Sequence, residues 1–91
     1  MKKYDIVVKD TEGMERAIKA LFRRGYVFTE SRLTTMDDIK RDWKGCWKDW
    51  RVIKVGSSES ECKMILHAGG IAERNAIVLS LQKFLKIEKE L

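Results

Sequence analysis

The feature that most constrains the fold is an apolar stripe near the start of the chain. Its members recur at the three- and four-residue spacing of a helix: Met14, Ala17, Ile18, Leu21 and Phe22. That spacing predicts an amphipathic helix with one buried side. Asp10 or Thr11 is expected to cap its start, and Gly25 suits the left-handed turn that ends many helices. Such a helix needs an apolar layer to cover, so the chain is predicted to form a layered domain around it.

Four segments supply that layer by their alternation of apolar and polar side chains. The predicted strands are residues 4–8, 26–29, 50–55 and 61–67, with an extension of the second one to Leu33 left open. A polar turn at residues 56–60 is expected to join the last two strands into an antiparallel hairpin.

The segment at residues 36–50 carries all three tryptophans. Its apolar residues follow one helical stripe: Met36, Ile39, Trp43, Trp47 and Trp50. Thr35 and Asp38 have the spacing of a capping box, which marks a helix start. Gly45 weakens a helix by about 1 kcal/mol relative to Ala. Two versions therefore stay open: one continuous helix, or a helix that breaks at Gly45 and leaves residues 46–50 extended or looped.

After Gly69 and Gly70, the pattern predicts a long final helix that starts at Ile71. It has a broad apolar face: Ile71, Ile77, Val78, Leu81, Phe84 and Leu85. A second apolar line lies at another azimuth: Ala72, Ala76, Leu79 and Ile87. This second line is predicted to contact either the first helix or a second copy of the protein, which would make it a self-association surface.

The predicted elements alternate between strands and helices and end with a hairpin and a helix. Residues 1–91 are therefore predicted to form a single α+β domain. Its architecture would be a two-layer sandwich, with the helices on one face of a sheet of about four strands. The composition agrees, because 44% hydrophobic and 36% charged residues belong to globular chains and not to disordered ones.

The start of the chain and its cysteines bear on the cellular compartment. Met1 leads directly into Lys2 and Lys3, with no apolar run of signal-peptide or membrane-spanning length, so a cytoplasmic protein without membrane contact is expected. In a reducing compartment Cys46 and Cys62 would stay free thiols. Together with His67 they are too few and too irregularly spaced for a zinc site, and neither a metal nor a cofactor is predicted.

The positive charge of the chain favours an anionic partner. The net charge is +5 and the isoelectric point is near 9.4. Between Arg32 and Lys54 seven bases accompany four acids, in the same region as the tryptophans. Either the indole rings cover the sheet as core, or one or two stay exposed to stack on bases or to anchor a protein partner. The predicted binding face consists of Lys40, Arg41, Trp43, Lys44, Trp47, Lys48, Trp50 and Arg51.

A second candidate site lies at the glycine turn before the predicted final helix. Its residues are His67, Gly69, Gly70 and, one turn later, Arg74. Backbone N–H groups at a helix start attract phosphate or carboxylate groups. The segment lacks the Lys-Ser/Thr of a P-loop, and two glycines before a helix are more often only a turn. The chain is predicted not to be an enzyme, because its single histidine and its serines and cysteines form no nucleophile–base pattern.

One stretch carries a resemblance to known proteins. Residues 20–28, ALFRRGYVF, form a short predicted helix that turns at glycine into an aromatic strand. This arrangement resembles the opening of small phage and prophage proteins that block host machinery, anti-CRISPR proteins among them. The resemblance implies an inhibitor that acts in the cytoplasm of a host cell, and it assigns no role to individual residues.

Three functions follow from these patterns as hypotheses. The first is a non-enzymatic binding protein that docks its tryptophan- and lysine-bearing face on a nucleic acid or nucleoprotein complex, as a phage-type inhibitor. The second is a protein that sequesters a nucleotide or another small anionic ligand, held by the glycine turn and a tryptophan. The third is a homodimeric interaction module that uses the second apolar line of the final helix.

Overall fold

The first helix forms where its apolar stripe predicts it. The computed structural model describes residues 2–30, 32–57, 63–72 and 74–90. Strand β1 (Lys2–Val7) is followed by helix α1 (Thr11–Arg23), whose stripe is buried from Met14 to Leu21. The Asp10 carboxylate caps the helix by accepting a hydrogen bond from the backbone N–H of Gly13 at 2.7 Å. Gly25 follows with φ of 88°, a left-handed conformation that glycine adopts without strain.

The remaining elements complete a mixed sheet. In chain order they are β2 (Val27–Phe28), α2 (Met36–Asp42), a 3₁₀ helix (Cys46–Asp49), β3 (Val52–Ser57), β4 (Lys63–Gly69), β5 (Val78–Ser80) and α3 (Leu81–Glu90). The strand order across the sheet is β2-β4-β3-β1-β5. The pairs β1/β3 and β3/β4 are antiparallel, whereas β2/β4 and β1/β5 are parallel. The α+β class is confirmed, with five strands in the described residues where about four were predicted.

The predicted hairpin is confirmed in its pairing and shifted in its bounds. Strands β3 and β4 pair antiparallel, from Val52 opposite Gly69 to Ser57 opposite Lys63. Both strands start two residues later than predicted, so the expected turn at residues 56–60 begins inside β3. The rest of that turn and Cys62 lie outside the described residues.

One face of the sheet carries the core. Ile6, Ile53 and Ile65 are fully buried on neighbouring strands and join a single cluster with the apolar sides of the helices. Phe84 of α3 meets the rings of Tyr4 and Tyr26 edge to face, with centroids 5.9 Å apart in both pairs. Strand side chains alternate between the two faces of a sheet, and the core residues of the strands form one cluster with those of the helices. The helices therefore lie on one side of the sheet, as predicted.

The prediction of a final helix from Ile71 is wrong. The described residues between Gly70 and Ile77 are not helical, and Asn75 adopts a left-handed φ of 67°. The chain then forms β5 against the outer edge of β1, where the N–H of Asp5 donates to the carbonyl of Ile77 at 2.8 Å. Pairing with β1 satisfies the backbone hydrogen-bonding groups at that edge, and the segment contains a residue of high β propensity, Val78. These contributions outweigh the helical spacing of the apolar side chains.

This correction removes both predicted faces of the final helix. Of the broad face, Ile71 is 88% exposed and Ile77 59%. Only its last part survives in α3, where Phe84 is buried and its neighbours Leu81 and Leu85 pack against the core. The second line is no helical stripe, because three of its four members precede α3: Ala72, Ala76 and Leu79. Leu79 packs against the core, so the predicted self-association surface of these three residues and Ile87 is not a surface of one helix.

Candidate functional site

The start of α2 is fixed by the predicted capping box. The Thr35 hydroxyl accepts from the N–H of Asp38 at 3.2 Å, and the Asp38 carboxylate accepts from the N–H of Thr35 at 3.0 Å. The same carboxylate accepts from the hydroxyl and the N–H of Thr34, at 2.9 and 3.0 Å. The Thr34 hydroxyl bond and then these backbone bonds hold the pKa of Asp38 well below its usual range.

The chain changes direction directly after α2. Trp43 closes the helix by donating its N–H to the carbonyl of Ile39 at 2.9 Å. Lys44 then takes a left-handed φ of 48°, and the 3₁₀ helix begins at Cys46. Of the two versions left open, the broken helix is confirmed, with the break one residue before Gly45, but residues 46–49 form a 3₁₀ helix and not the extended or looped segment that was expected. The hydroxyl of Thr11 ties the new segment to α1 by donating to the carbonyl of Lys48 at 2.9 Å.

The break sends the three tryptophans to different environments. Trp47 points into the core and is 6% exposed. Trp43 and Trp50 are partly buried and meet edge to face, with ring centroids 5.5 Å apart. The interpretation of the tryptophans as core therefore holds for Trp47, while the other two rings reach both the core and the surface.

Trp43 and Trp50 line a cleft with residues from β2, β4 and the loop after β2. We call it the tryptophan cleft, and its volume is about 130 Å³. Its apolar walls are Phe28, Leu33, Trp43, Trp50 and Leu66. Its polar lining includes Thr29, Glu30 and His67. A mostly apolar concave surface with a few polar groups is the usual form of a small-ligand site.

The indole nitrogen of Trp43 is the unusual polar atom of this site. Its Nε1 is buried and has no hydrogen-bond partner among the described residues. A buried donor without an acceptor costs about 1–3 kcal/mol. Packing against Trp50 and the core must therefore hold this ring in place, because no hydrogen bond of the indole does so.

Two of the predicted binding cations are engaged in ion pairs. Lys40 Nζ lies 2.6 Å from Glu15 Oε1 and 5.8 Å from the centroid of the Trp47 ring. The hydrogen bond between them raises the pKa of Lys40 and lowers the pKa of Glu15. Arg41 contacts Asp38 at 2.7 Å and Asp42 at 3.4 Å, and the bond to Asp38 raises the pKa of Arg41. Lys40 thus links α2 to α1, and Arg41 pairs within α2. Both side chains are therefore less available to a partner.

The other three cations differ from one another. The Arg51 guanidinium donates to the carbonyls of Lys48 and Trp50, both at 2.7 Å, and so stabilises the end of the 3₁₀ helix. Lys44 and Lys48 are exposed, and neither forms an ion pair within the described part of the chain. Lys44 directly follows Trp43, and Lys48 precedes Trp50 by two residues. The uncommitted positive charge of the predicted face is therefore these two lysines.

The predicted anion site loses its helix. His67 and Gly69 belong to β4, and the described residues between Gly70 and Ile77 are not helical, so the argument from a helix N-terminus directly after the glycines is wrong. Arg74 lies in the following turn and does not line the tryptophan cleft. His67 does line it, so the structure brings one member of the second predicted site together with two tryptophans of the first.

Sequence reasoning missed four other residues that line the cleft. Phe28, Thr29, Glu30 and Leu33 were not singled out, because they belong to a strand and a loop with no motif. The one available signal was the step from an apolar strand to Thr29 and Glu30, which puts polar groups beside buried ones.

The described residues show neither a metal-binding cluster nor a membrane-spanning helix. They contain no group of three or more His, Cys, Asp or Glu side chains placed to hold a metal ion. Cys46 is exposed and forms no disulfide. None of the described helices has the length and apolar character needed to span a membrane.

Comparisons with known proteins leave the site to be interpreted from its own geometry. No protein-family model, no curated protein and no solved structure matches this chain.

Proposed function

We propose that this protein is a non-enzymatic nucleic-acid-binding protein that accepts an unpaired base in the tryptophan cleft. The observation that carries the proposal is the pair of partly exposed rings, Trp43 and Trp50, that line an apolar cleft. Bases stack on such rings with little dependence on sequence, and each stacked base contributes about 1–3 kcal/mol.

Electrostatics support the same function. Lys44 and Lys48 lie between Trp43 and Trp50 in sequence and carry no ion pair among the described residues, so both are available to backbone phosphates. The net charge of +5 adds a long-range attraction for a polyanion. A ligand that places a base in the cleft and phosphates on the lysines must be single-stranded, because a duplex keeps its bases stacked inside.

The test is to measure the affinity for short single-stranded DNA at several salt concentrations, with tryptophan fluorescence as the readout. Each neutralised phosphate of a single strand contributes about −0.7 to the slope of log K against log salt. Replacing both Lys44 and Lys48 by Ala should therefore make the slope shallower by about 1.4. The matched control replaces Lys19 and Lys83, two exposed lysines outside the site, and should change the slope less. Affinity that does not respond to salt would contradict the proposal.

The resemblance of residues 20–28 to small phage proteins adds a biological setting to this proposal. In that setting the nucleic acid belongs to a nucleoprotein complex, which the protein inhibits in the host cytoplasm. An anti-CRISPR role predicts that an equimolar amount of the protein stops target cleavage by a purified CRISPR effector. Unchanged cleavage would count against this setting and would leave nucleic-acid binding untouched.

A second candidate, sequestration of a free nucleotide, is favoured by the position of His67. This residue lines the tryptophan cleft, where its imidazole is placed to contact a nucleotide whose base lies between the cleft walls. A nucleotide at about 100 times its dissociation constant stabilises the folded protein by about 2.7 kcal/mol. Thermal unfolding with a panel of mononucleotides therefore tests it, and no stabilisation by any of them would exclude it.

A further inference from the structure

The size of the tryptophan cleft matches a single six-membered ring. Its volume is about 130 Å³. For comparison, an apolar cavity of about 150 Å³ in another protein binds a single benzene ring. A pyrimidine has one six-membered ring, whereas a purine has a second ring fused to it. A pyrimidine ring therefore fits within this volume, whereas the second ring of a purine would extend out of the open cleft.

The walls of the cleft suit a flat ring. Phe28, Leu33 and Leu66 supply apolar contacts, and the tilted indoles of Trp43 and Trp50 supply aromatic ones. Flat rings pack favourably against aromatic side chains in offset or edge-to-face arrangements. These contacts fix the plane of a base but do not distinguish one pyrimidine from another.

Among the polar side chains that line the cleft, the carboxylate of Glu30 is the one that accepts hydrogen bonds without donating any. Its side chain is 51% exposed, and the ion pair to Arg32, at 3.5 Å, occupies only part of its capacity. An ionised carboxylate accepts about four hydrogen bonds and donates none. It therefore attracts an amino group and repels a carbonyl oxygen. Cytosine carries an amino group at the ring position where thymine and uracil carry an oxygen.

We propose that the tryptophan cleft selects cytosine, with the exocyclic amino group of the base donating to Glu30. This inference rests on the proposed nucleic-acid-binding function and adds base selectivity to it. Discrimination between bases by one well-placed polar contact commonly reaches about tenfold or more. Neither of the two free lysines contributes to it, because phosphates are the same in every sequence.

The experiment compares three single-stranded probes of about ten nucleotides, a length within the usual site sizes. They are oligo(dC), oligo(dT) and oligo(dA), each titrated at neutral pH against wild-type protein while tryptophan fluorescence is measured. Oligo(dC) should bind about tenfold more tightly than oligo(dT), and oligo(dA) should be the weakest, because its base exceeds the cleft.

The Glu30→Gln variant tests whether Glu30 determines the preference for cytosine over thymine. A glutamine amide both donates and accepts, so it serves either pyrimidine, and the ratio of oligo(dC) to oligo(dT) affinity should approach one. The matched control is Glu12→Gln on the exposed side of α1, which makes the same charge change and should keep the ratio. The ratio does not depend on the fraction of protein that is folded.

The outcomes separate the inference from the function on which it rests. If wild-type protein binds oligo(dC) and oligo(dT) equally with a normal salt dependence, the inference is overturned and the proposed function stands. A preference for oligo(dC) that persists in Glu30→Gln also overturns it. If none of the probes binds, the proposed function fails together with the inference.

Discussion

The rings of Trp43 and Trp50 meet edge to face, with their planes inclined at 66° and their centroids 5.5 Å apart. In one continuous helix these two rings and Trp47 would share a single side and be covered alike. The left-handed Lys44 and the 3₁₀ helix instead turn Trp47 into the core and leave the other two at the cleft. The tryptophan cleft is therefore a consequence of the broken helix.

Replacing Trp50 by Ala should weaken binding of single-stranded DNA. Loss of one stacking ring removes about 1–3 kcal/mol, which corresponds to a loss of affinity of roughly 5- to 150-fold. Trp50→Phe keeps an aromatic face and should retain most of the affinity. Titration of both variants with the same oligonucleotide measures the difference, and equal weakening by Ala and Phe would show that stacking is not the source of the affinity.

Replacing Trp47 by Ala should act on stability. Truncating a buried tryptophan costs about 3–5 kcal/mol, because the cavity is only partly refilled. Urea unfolding of the variant measures this loss against wild type. Trp50→Ala serves as the comparison, since a partly exposed ring has less buried area to lose. A larger loss at Trp50 than at Trp47 would contradict the assignment of Trp47 to the core.

The depressed pKa of Asp38 predicts a specific pH dependence of stability. The folded pKa lies below the ordinary value of 3.8. The stabilisation by Asp38 is therefore present above pH 3.8 and is lost as the pH falls toward the folded pKa. Asp38→Asn removes the charge, so the gap in unfolding midpoint between wild type and this variant should narrow below pH 3.8.

Asp37 provides the control for this experiment. It lies in the same first turn of α2 and makes none of the capping-box hydrogen bonds. Asp37→Asn should lose stability at acid pH as steeply as wild type does, because the Asp38 carboxylate and its three hydrogen bonds to Thr34 and Thr35 remain. A gap between wild type and Asp38→Asn that is constant across the acid range would refute the prediction.

Local signals explain which parts of the fold could be predicted. The helix α1, its Asp10 cap, the Gly25 turn and the Thr35–Asp38 capping box each depend on residues a few positions apart. The helical spacing after Ile71 was equally local, but the pairing of β5 with β1 joins opposite ends of the chain and overrides it. Sequence spacing does not report such a distant backbone partner.

The candidate site was predictable only in part for the same reason. Trp43 and Trp50 were found because aromatic residues clustered with lysines are conspicuous in a sequence. Phe28, Glu30 and His67 line the same cleft, and only the parallel pairing of β2 with β4 brings their segments together. The ion pairs of Lys40 and Arg41 and the carbonyl hydrogen bonds of Arg51 could not be predicted either, and among the described residues they leave Lys44 and Lys48 uncommitted where five cations had been proposed.

Replacing Lys44 by Gly should raise stability and lower affinity at once. Lys44 holds a left-handed φ of 48°, a conformation that costs a residue with a side chain about 1–2 kcal/mol. Glycine removes that strain but gains entropy in the unfolded chain, so a net increase of up to about 1 kcal/mol in unfolding free energy is expected. The same change deletes a cation proposed to contact phosphate, so binding of single-stranded DNA should weaken and its salt dependence become shallower.

Lys48→Gly is the control. It removes an equal charge from the 3₁₀ helix, where it relieves no left-handed strain, and should lower both the unfolding free energy and the affinity for single-stranded DNA. Lys44→Gly with unchanged affinity would remove this lysine from the binding surface, while a loss of stability would show that its left-handed backbone is not strained.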